Sequence, residues 1–205
     1  MAGRKPRVDA VRNRARLLQV TFDTLASEGL GVPIDEIARR AGLGAGTVYR
    51  HFPTKDLLFA AIISDRLARH TRHAQELAER LEPGPAFFEF LAWVVRDGGV
   101  DQGLMEALSG TGFDLSAAVP EAEREWMGAL ERLLRAAQAA GRVRDDLDVV
   151  DVKALVVGYQ TALRHRGDAA AGDRLLGLLR TGLEPVGADP SGGAGPRPPR
   201  PTADH

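Results

Sequence analysis

Along most of this chain, apolar residues recur at steps of three and four, the signature of helices that each bury one face. From about residue 10 to 28, Val11, Ala15, Leu18, Phe22 and Leu25 form one such stripe, and Gly29 is a suitable stop. Ile34, Ile37, Ala38 and Ala41 mark a short second helix. Pro33 suits its first position, where a missing N–H costs nothing. Gly42 supplies the break, because glycine enters a positive-φ turn without steric cost, and Leu43 is placed to plug the corner. A third helix begins near Ala45 and buries Val48 and Phe52, leaving Thr47, Tyr49, Arg50 and His51 for other work. This is a helix-turn-helix over about residues 33–52. Pro53-Thr54-Lys55 then opens a long helix with Thr54 as N-cap. Its stripe runs through Leu58, Ile62, Ile63, Leu67, His70, Ala74, Leu77 and Leu81.

The rest of the chain also reads as helical. Phe87, Phe90, Leu91 and Val94 mark a helix ending near Gly98-Gly99, and Leu104, Met105 and Leu108 a short one ending in Gly110-Thr111-Gly112. Trp126, Leu130, Leu133, Leu134 and Ala137 share a face up to Gly141; Val152, Leu155, Val156, Tyr159 and Leu163 share another. The last helix, near 173–183, carries Leu175, Leu176, Leu178, Leu179 and Leu183, a stripe too wide for one packing surface. The predicted fold is all-α, a three-helix helix-turn-helix head on a helical body. Its divisions are a basic flexible arm (1–9), the head (10–56), the body (57–183) and a disordered Pro/Gly-rich tail (184–205).

Composition narrows the function classes. Hydrophobic content of 44% and charged content of 27% are those of an ordinary soluble globular protein. No apolar run approaches the ~20 residues that span a bilayer, and the basic N-terminus lacks the apolar core of a signal peptide. The expectation is a cytoplasmic protein with no membrane partner. The absence of cysteine excludes disulfides, thiolate metal sites and cysteine nucleophiles together. The net charge of −1 conceals an asymmetry: residues 1–55 carry ten Lys and Arg against five Asp and Glu, the remainder seventeen against twenty-three. A basic head on an acidic body fits a nucleic-acid module joined to something that does not touch nucleic acid. Within the arm, Arg4, Lys5 and Arg7 are candidates for lying along phosphates or entering a minor groove, and a solubilising tail fits them equally well.

Ile37-Ala38, Ala41-Gly42-Leu43, the run Gly46-Thr47-Val48-Tyr49-Arg50-His51-Phe52 and Lys55 together resemble the TetR/AcrR family of bacterial transcriptional regulators. The resemblance implies a double-stranded DNA partner, a homodimer joined through the last two long helices as a four-helix bundle, and a small-molecule effector of unknown identity. It implies no enzyme activity and no cofactor. It assigns Tyr49, His51 and Lys55 to phosphates. Thr47 can meet a base edge or a thymine methyl, and Arg50 can address guanine bidentately, worth roughly 1–3 kcal/mol of discrimination. Gly44, Ala45 and Gly46 carry no long side chain, so close backbone approach replaces side-chain readout there. Three departures from the family pattern stand out, the first a spacing from Gly29 to Ile37 about one residue tighter than usual. Val32-Pro33 replaces the usual Ser or Thr near the start of the second helix, and Gly44–Gly46 lacks the Ser or longer polar residue often found there. Tyr49 also fits a half-buried brace, and His51 a C-terminal histidine meeting the helix dipole.

In the body, His70, Phe90, Trp93, Met105, Trp126 and Tyr159 are candidates for a ligand pocket, with plain core packing the alternative for each. His70 and His73 have a spacing compatible with a metal, but without a third ligand no metal site is expected. The leading reading is a homodimeric repressor of a palindromic operator released by a small molecule. An activator or ligand-independent regulator remains open, as does an all-helical enzyme or ligand carrier, for which the chain lacks a Cys nucleophile, a metal motif and a glycine-rich phosphate loop.

Overall fold

The computed structural model describes residues 5–109, 114–166 and 169–185, with side chains outside the description at 5–10, 97–107, 109, 115–116, 164–166 and 169–171. Every element among the described residues is a helix: α1 (Lys5–Glu28), α2 (Ile34–Ala41), α3 (Ala45–His51), α4 (Lys55–Arg80), α5 (Pro83–Ser109), α6 (Leu115–Ala118), α7 (Pro120–Ala139), α8 (Val149–Arg166) and α9 (Ala169–Leu183). The expected all-α class holds. None of these helices is long and apolar enough to cross a membrane.

Two hydrophobic cores organise the helices. The head core gathers Leu17, Leu18, Phe22 and Leu25 of α1, Ile34, Ile37, Ala38 and Ala41 of α2, and Val48 with Phe52 around α3. The body core contains Ala74 and Leu77 of α4, Phe87, Phe90, Leu91 and Val94 of α5, the Trp126–Ala137 face of α7, and Val152, Val156 and Tyr159 of α8. The expected boundary at residues 56–57 is not a structural break. Leu58, Phe59, Ile62 and Ile63 of α4 belong to the head core, as do Leu108 of α5 and Val119 beside α7. Thus α4 and α5 each run from one core into the other, and α7 starts against the head and buries its length in the body. A three-helix unit this small cannot close its own apolar surface, so it borrows residues from the body.

Several expectations need correction. The break expected near Gly98-Gly99 is absent: α5 continues for 27 residues to Ser109. Each helical glycine costs about 1 kcal/mol relative to alanine; burial of Phe87 to Val95 at one end and Leu108 at the other offsets that. The arm is not flexible over its whole length, because α1 already begins at Lys5, and Pro6 falls in the first turn where proline is tolerated. The stripe of α1 is also displaced. Val11 (68% exposed) and Ala15 face solvent, and the buried set is Leu17, Leu18, Thr21, Phe22, Thr24 and Leu25. The short helix expected over Leu104, Met105 and Leu108 is not separate but the end of α5; its expected stop at Gly110–Gly112 and most of the expected tail lie outside the described residues.

Polar contacts tie the body helices together. The Gln160 side chain, 5% exposed, donates to the Val94 carbonyl at 3.0 Å, linking α8 to α5. The Tyr159 hydroxyl donates to the Gly172 carbonyl, linking α8 to α9. Gln138 donates to the Arg144 and Leu147 carbonyls at 2.9 Å each, fixing the α7–α8 turn.

Candidate nucleic-acid interface

The turn between α2 and α3 has the geometry its sequence implies. Gly42 adopts φ 72°, ψ 30°. The Leu43 N–H donates to the Ala38 carbonyl at 2.9 Å and the Gly42 N–H to that of Arg39 at 3.1 Å, the paired bonds of a Schellman motif. Leu43, half-buried against the head core, fills the corner as expected. Pro33 caps α2 with no side-chain hydrogen bond, the consequence of Val32-Pro33 standing where a hydroxyl residue would serve. Acids fill the first turn of α2 (Asp35, Glu36) and bases its last (Arg39, Arg40), the arrangement the helix dipole favours.

Anchored through buried Val48 and the Phe52 behind it, α3 presents its other face outward. Tyr49 is 45% exposed, Arg50 and His51 are exposed, and Thr47 is half-buried. The exposure of Tyr49 counts against a purely bracing role. A Cβ added at Gly46 would meet no atom within 4 Å beyond its chain neighbours and the backbone of its own helix, so packing there does not demand glycine. At the foot of α4, the Thr54 hydroxyl accepts from the Leu57 N–H at 3.3 Å, the expected N-cap. The Lys55 ammonium donates to the Leu30 carbonyl at 3.2 Å. That bond holds Lys55 beside the α1–α2 turn, and an ammonium has two further donors for a phosphate.

Electrostatics divides the head's cations into two sets. Arg39 donates to both Glu36 oxygens at 2.7 and 2.8 Å; Arg40 donates to Glu36 at 2.7 Å and to both Glu28 oxygens. The hydrogen bonds from Arg39, then those from Arg40, lower the Glu36 pKa to about 2, and the Arg40 bond also lowers that of Glu28. Arg39 and Arg40 are therefore neutralised where they stand, tying the end of α1 to α2. Arg50 has no ion pair among the described residues and keeps its guanidinium for an external acceptor.

The residues expected to meet a ligand do not form one pocket. His70 and Trp93 meet edge-on at 5.0 Å, His73 lies 4.3 Å from the Trp93 ring, and Phe90 stacks 6.3 Å from Trp93. This joins three of the six residues across α4 and α5, but Phe90 is fully buried and packs the core. Trp126 lies apart on α7, with the Lys153 ammonium 5.7 Å above its ring and itself bound to Glu123 at 2.8 Å. Tyr159 is committed to α9 through its hydroxyl, and burial, ahead of its other influences, raises its pKa. Met105, Arg4, Lys5 and Arg7 fall outside the described side chains. A cavity of about 520 Å³ between α5 and α9, and one of about 350 Å³ between α4, α5 and α7, are lined by none of the six. Among the described residues, no three His, Asp or Glu side chains are placed to hold a metal.

Sequence reasoning missed Arg66, which is 8% exposed with its guanidinium 4.3 Å above the Phe22 ring. Its position between Ile62–Ile63 and His70 on the apolar stripe was the available signal. Arg12, Arg14 and Arg16, all exposed on α1, were also passed over.

Known proteins share this arrangement. Residues 17–62 match the family model for bacterial regulatory proteins of the tetR family, and residues 82–185 that for the C-terminal domain of SbtR-like transcriptional regulators. A solved TetR transcription regulatory protein from Mycobacterium vanbaalenii is 49% identical, aligned over 87% of this chain and 98% of its own, with a TM-score of 0.71. A TetR transcriptional regulator from Streptomyces coelicolor is 30% identical over 84% and 99% of the two chains, with a TM-score of 0.70. An HTH-type transcriptional regulator from Staphylococcus aureus is 39% identical over 61 residues, 29% of this chain and 33% of its own length. The chain thus spans only about a third of the length of that curated relative.

Proposed function

The chain belongs to the TetR family of bacterial DNA-binding transcriptional regulators, and on that premise we propose that it is a homodimeric repressor. Its two heads hold a palindromic operator in the cytoplasm until a small molecule enters the body. The observation that carries this reading is the uncovered outer face of α8 and α9. Val150 (61% exposed), Leu155 (43%) and Leu178 (69%) face solvent. Ala154, Gly158 and Ala162 on α8, and Gly177 and Thr181 on α9, are exposed between or beside them. Apolar side chains set among small ones let helices of a second copy approach closely, giving a four-helix bundle about a two-fold axis. Two recognition helices about 34–36 Å apart would then enter successive major grooves.

Release by an effector is supported by α4 and α5, which carry apolar residues of both cores and so couple the body to the head. The effector acts only through unequal affinity for the DNA-competent and DNA-incompetent arrangements. The test combines sedimentation equilibrium with selection of duplexes from a random library at two salt concentrations. The expected result is a dimer mass and an inverted repeat whose affinity falls steeply with salt. Leu178→Glu should shift the mass toward monomer and weaken binding. A monomeric wild-type protein recovering a single half-site would refute the dimer.

A further inference from the structure

We propose that the N-terminal half of α1 is a second DNA-binding element, a basic helix that lies along the phosphates flanking each half-site. The proposal rests on the DNA-binding reading above. From Val11 to Arg16 every side chain is exposed, and among the described side chains of α1 the first buried one is Leu17. This stretch therefore adds nothing to either core, and a helix without a buried face has little of its own to hold it.

Its charge makes matters worse in the free protein. Residues 4–16 contain Arg4, Lys5, Arg7, Arg12, Arg14 and Arg16 against Asp9 alone. The first turn of α1 holds no acidic residue, so its cations meet the positive end of the helix dipole unopposed. Arg12 and Arg16 are four apart, a like-charge spacing that disfavours the helix. Arg12, Arg14 and Arg16 have no ion pair among the described residues, in contrast to Arg39 and Arg40, which Glu28 and Glu36 neutralise. An anionic surface removes each of these penalties at once. The polyanion assigned to this stretch is the duplex held by α3, because α1 continues directly from the stretch into the core that Leu17, Leu18, Phe22 and Leu25 share with Val48 of α3. The helical stretch 5–16 is roughly 18 Å long at 1.5 Å per residue. That length matches about five base pairs of duplex at 3.4 Å each.

The test compares wild type with the triple variant Arg12→Ala, Arg14→Ala, Arg16→Ala on duplexes recovered from the random-library selection. Each duplex is used at full length and with about five flanking base pairs trimmed from each end. Alanine is the best helix former, so the variant should fold, which circular dichroism checks. The expected result is a salt slope shallower by up to about 0.9 per lost contact. Trimming should weaken wild type while leaving the variant nearly unchanged. Equal slopes and equal sensitivity to trimming would overturn the proposal, provided Tyr49→Ala still weakens binding. If Tyr49→Ala is also without effect, the DNA-binding reading of α3 fails and this proposal falls with it.

Discussion

Gly46 occupies the second position of α3, where the fold leaves open space around it. Replacing it by alanine therefore separates what the protein needs to fold from what it needs to hold DNA. In the free protein the added methyl meets no atom within 4 Å beyond its chain neighbours and the backbone of its own helix. A glycine-to-alanine change in a helix stabilises by roughly 0.5–1 kcal/mol through lower chain entropy. For a chain of this size that raises Tm by roughly 1–4 °C. On DNA the same methyl stands where backbone and groove wall should meet. Overfilling a packed contact costs roughly 1–3 kcal/mol, or about 5- to 150-fold in Kd. Calorimetry would read the first effect, and fluorescence anisotropy on a selected duplex the second. Gly46→Ala should move stability up and affinity down. A raised Tm with unchanged affinity would show that the start of α3 does not approach the groove closely, and the backbone-contact assignment at Ala45 and Gly46 would be wrong.

Other expectations are equally direct. Tyr49→Ala and Lys55→Ala should weaken binding to all duplexes alike, whereas Arg50→Ala should relax preference at particular base positions, by roughly 1–3 kcal/mol per read guanine; a uniform loss in Arg50→Ala would make it a phosphate contact instead. Gly84→Ala should destabilise by about 1–3 kcal/mol, because its Cβ would lie 2.7 and 2.9 Å from the Arg142 Cγ and Cβ. Thermal unfolding reads that loss, and Arg142→Gly should restore it; a Gly84→Ala protein as stable as wild type refutes the clash. Glu36, unfolded near 4.5 and folded at about 2, contributes stability that is fully present above pH 4.5 and lost as pH falls toward 2. Glu36→Gln should thus lower Tm at pH 7, with the gap to wild type closing in acid; a gap independent of pH would show that the Arg39–Glu36–Arg40 cluster does no such work.

Local rules sufficed where each residue's job was decided by its neighbours in sequence. The break at Gly42, the buried face of α2, the N-cap at Thr54 and the outward face of α3 depend on dihedral freedom, helical period and hydrogen bonds a few residues apart. All of them were legible in the chain alone. The extent of α5 was not, because two glycines argue locally for a break. Only burial of Phe87–Val95 in one core and Leu108 in the other overrides that preference. The displaced stripe of α1 has the same origin. Periodicity treats Val11 and Leu25 alike, but among the described side chains of α1 those before Leu17 are exposed and the stretch from Leu17 onward packs in the head core. Charge followed the same division. Composition showed a basic head, while the tertiary structure decided that Arg39 and Arg40 are neutralised by Glu36 and Glu28 and that Arg12, Arg14 and Arg16 have no ion pair among the described residues. Pairing Arg40 with a carboxylate twelve positions away is set by how α1 crosses α2, a geometry that no periodicity in the sequence encodes.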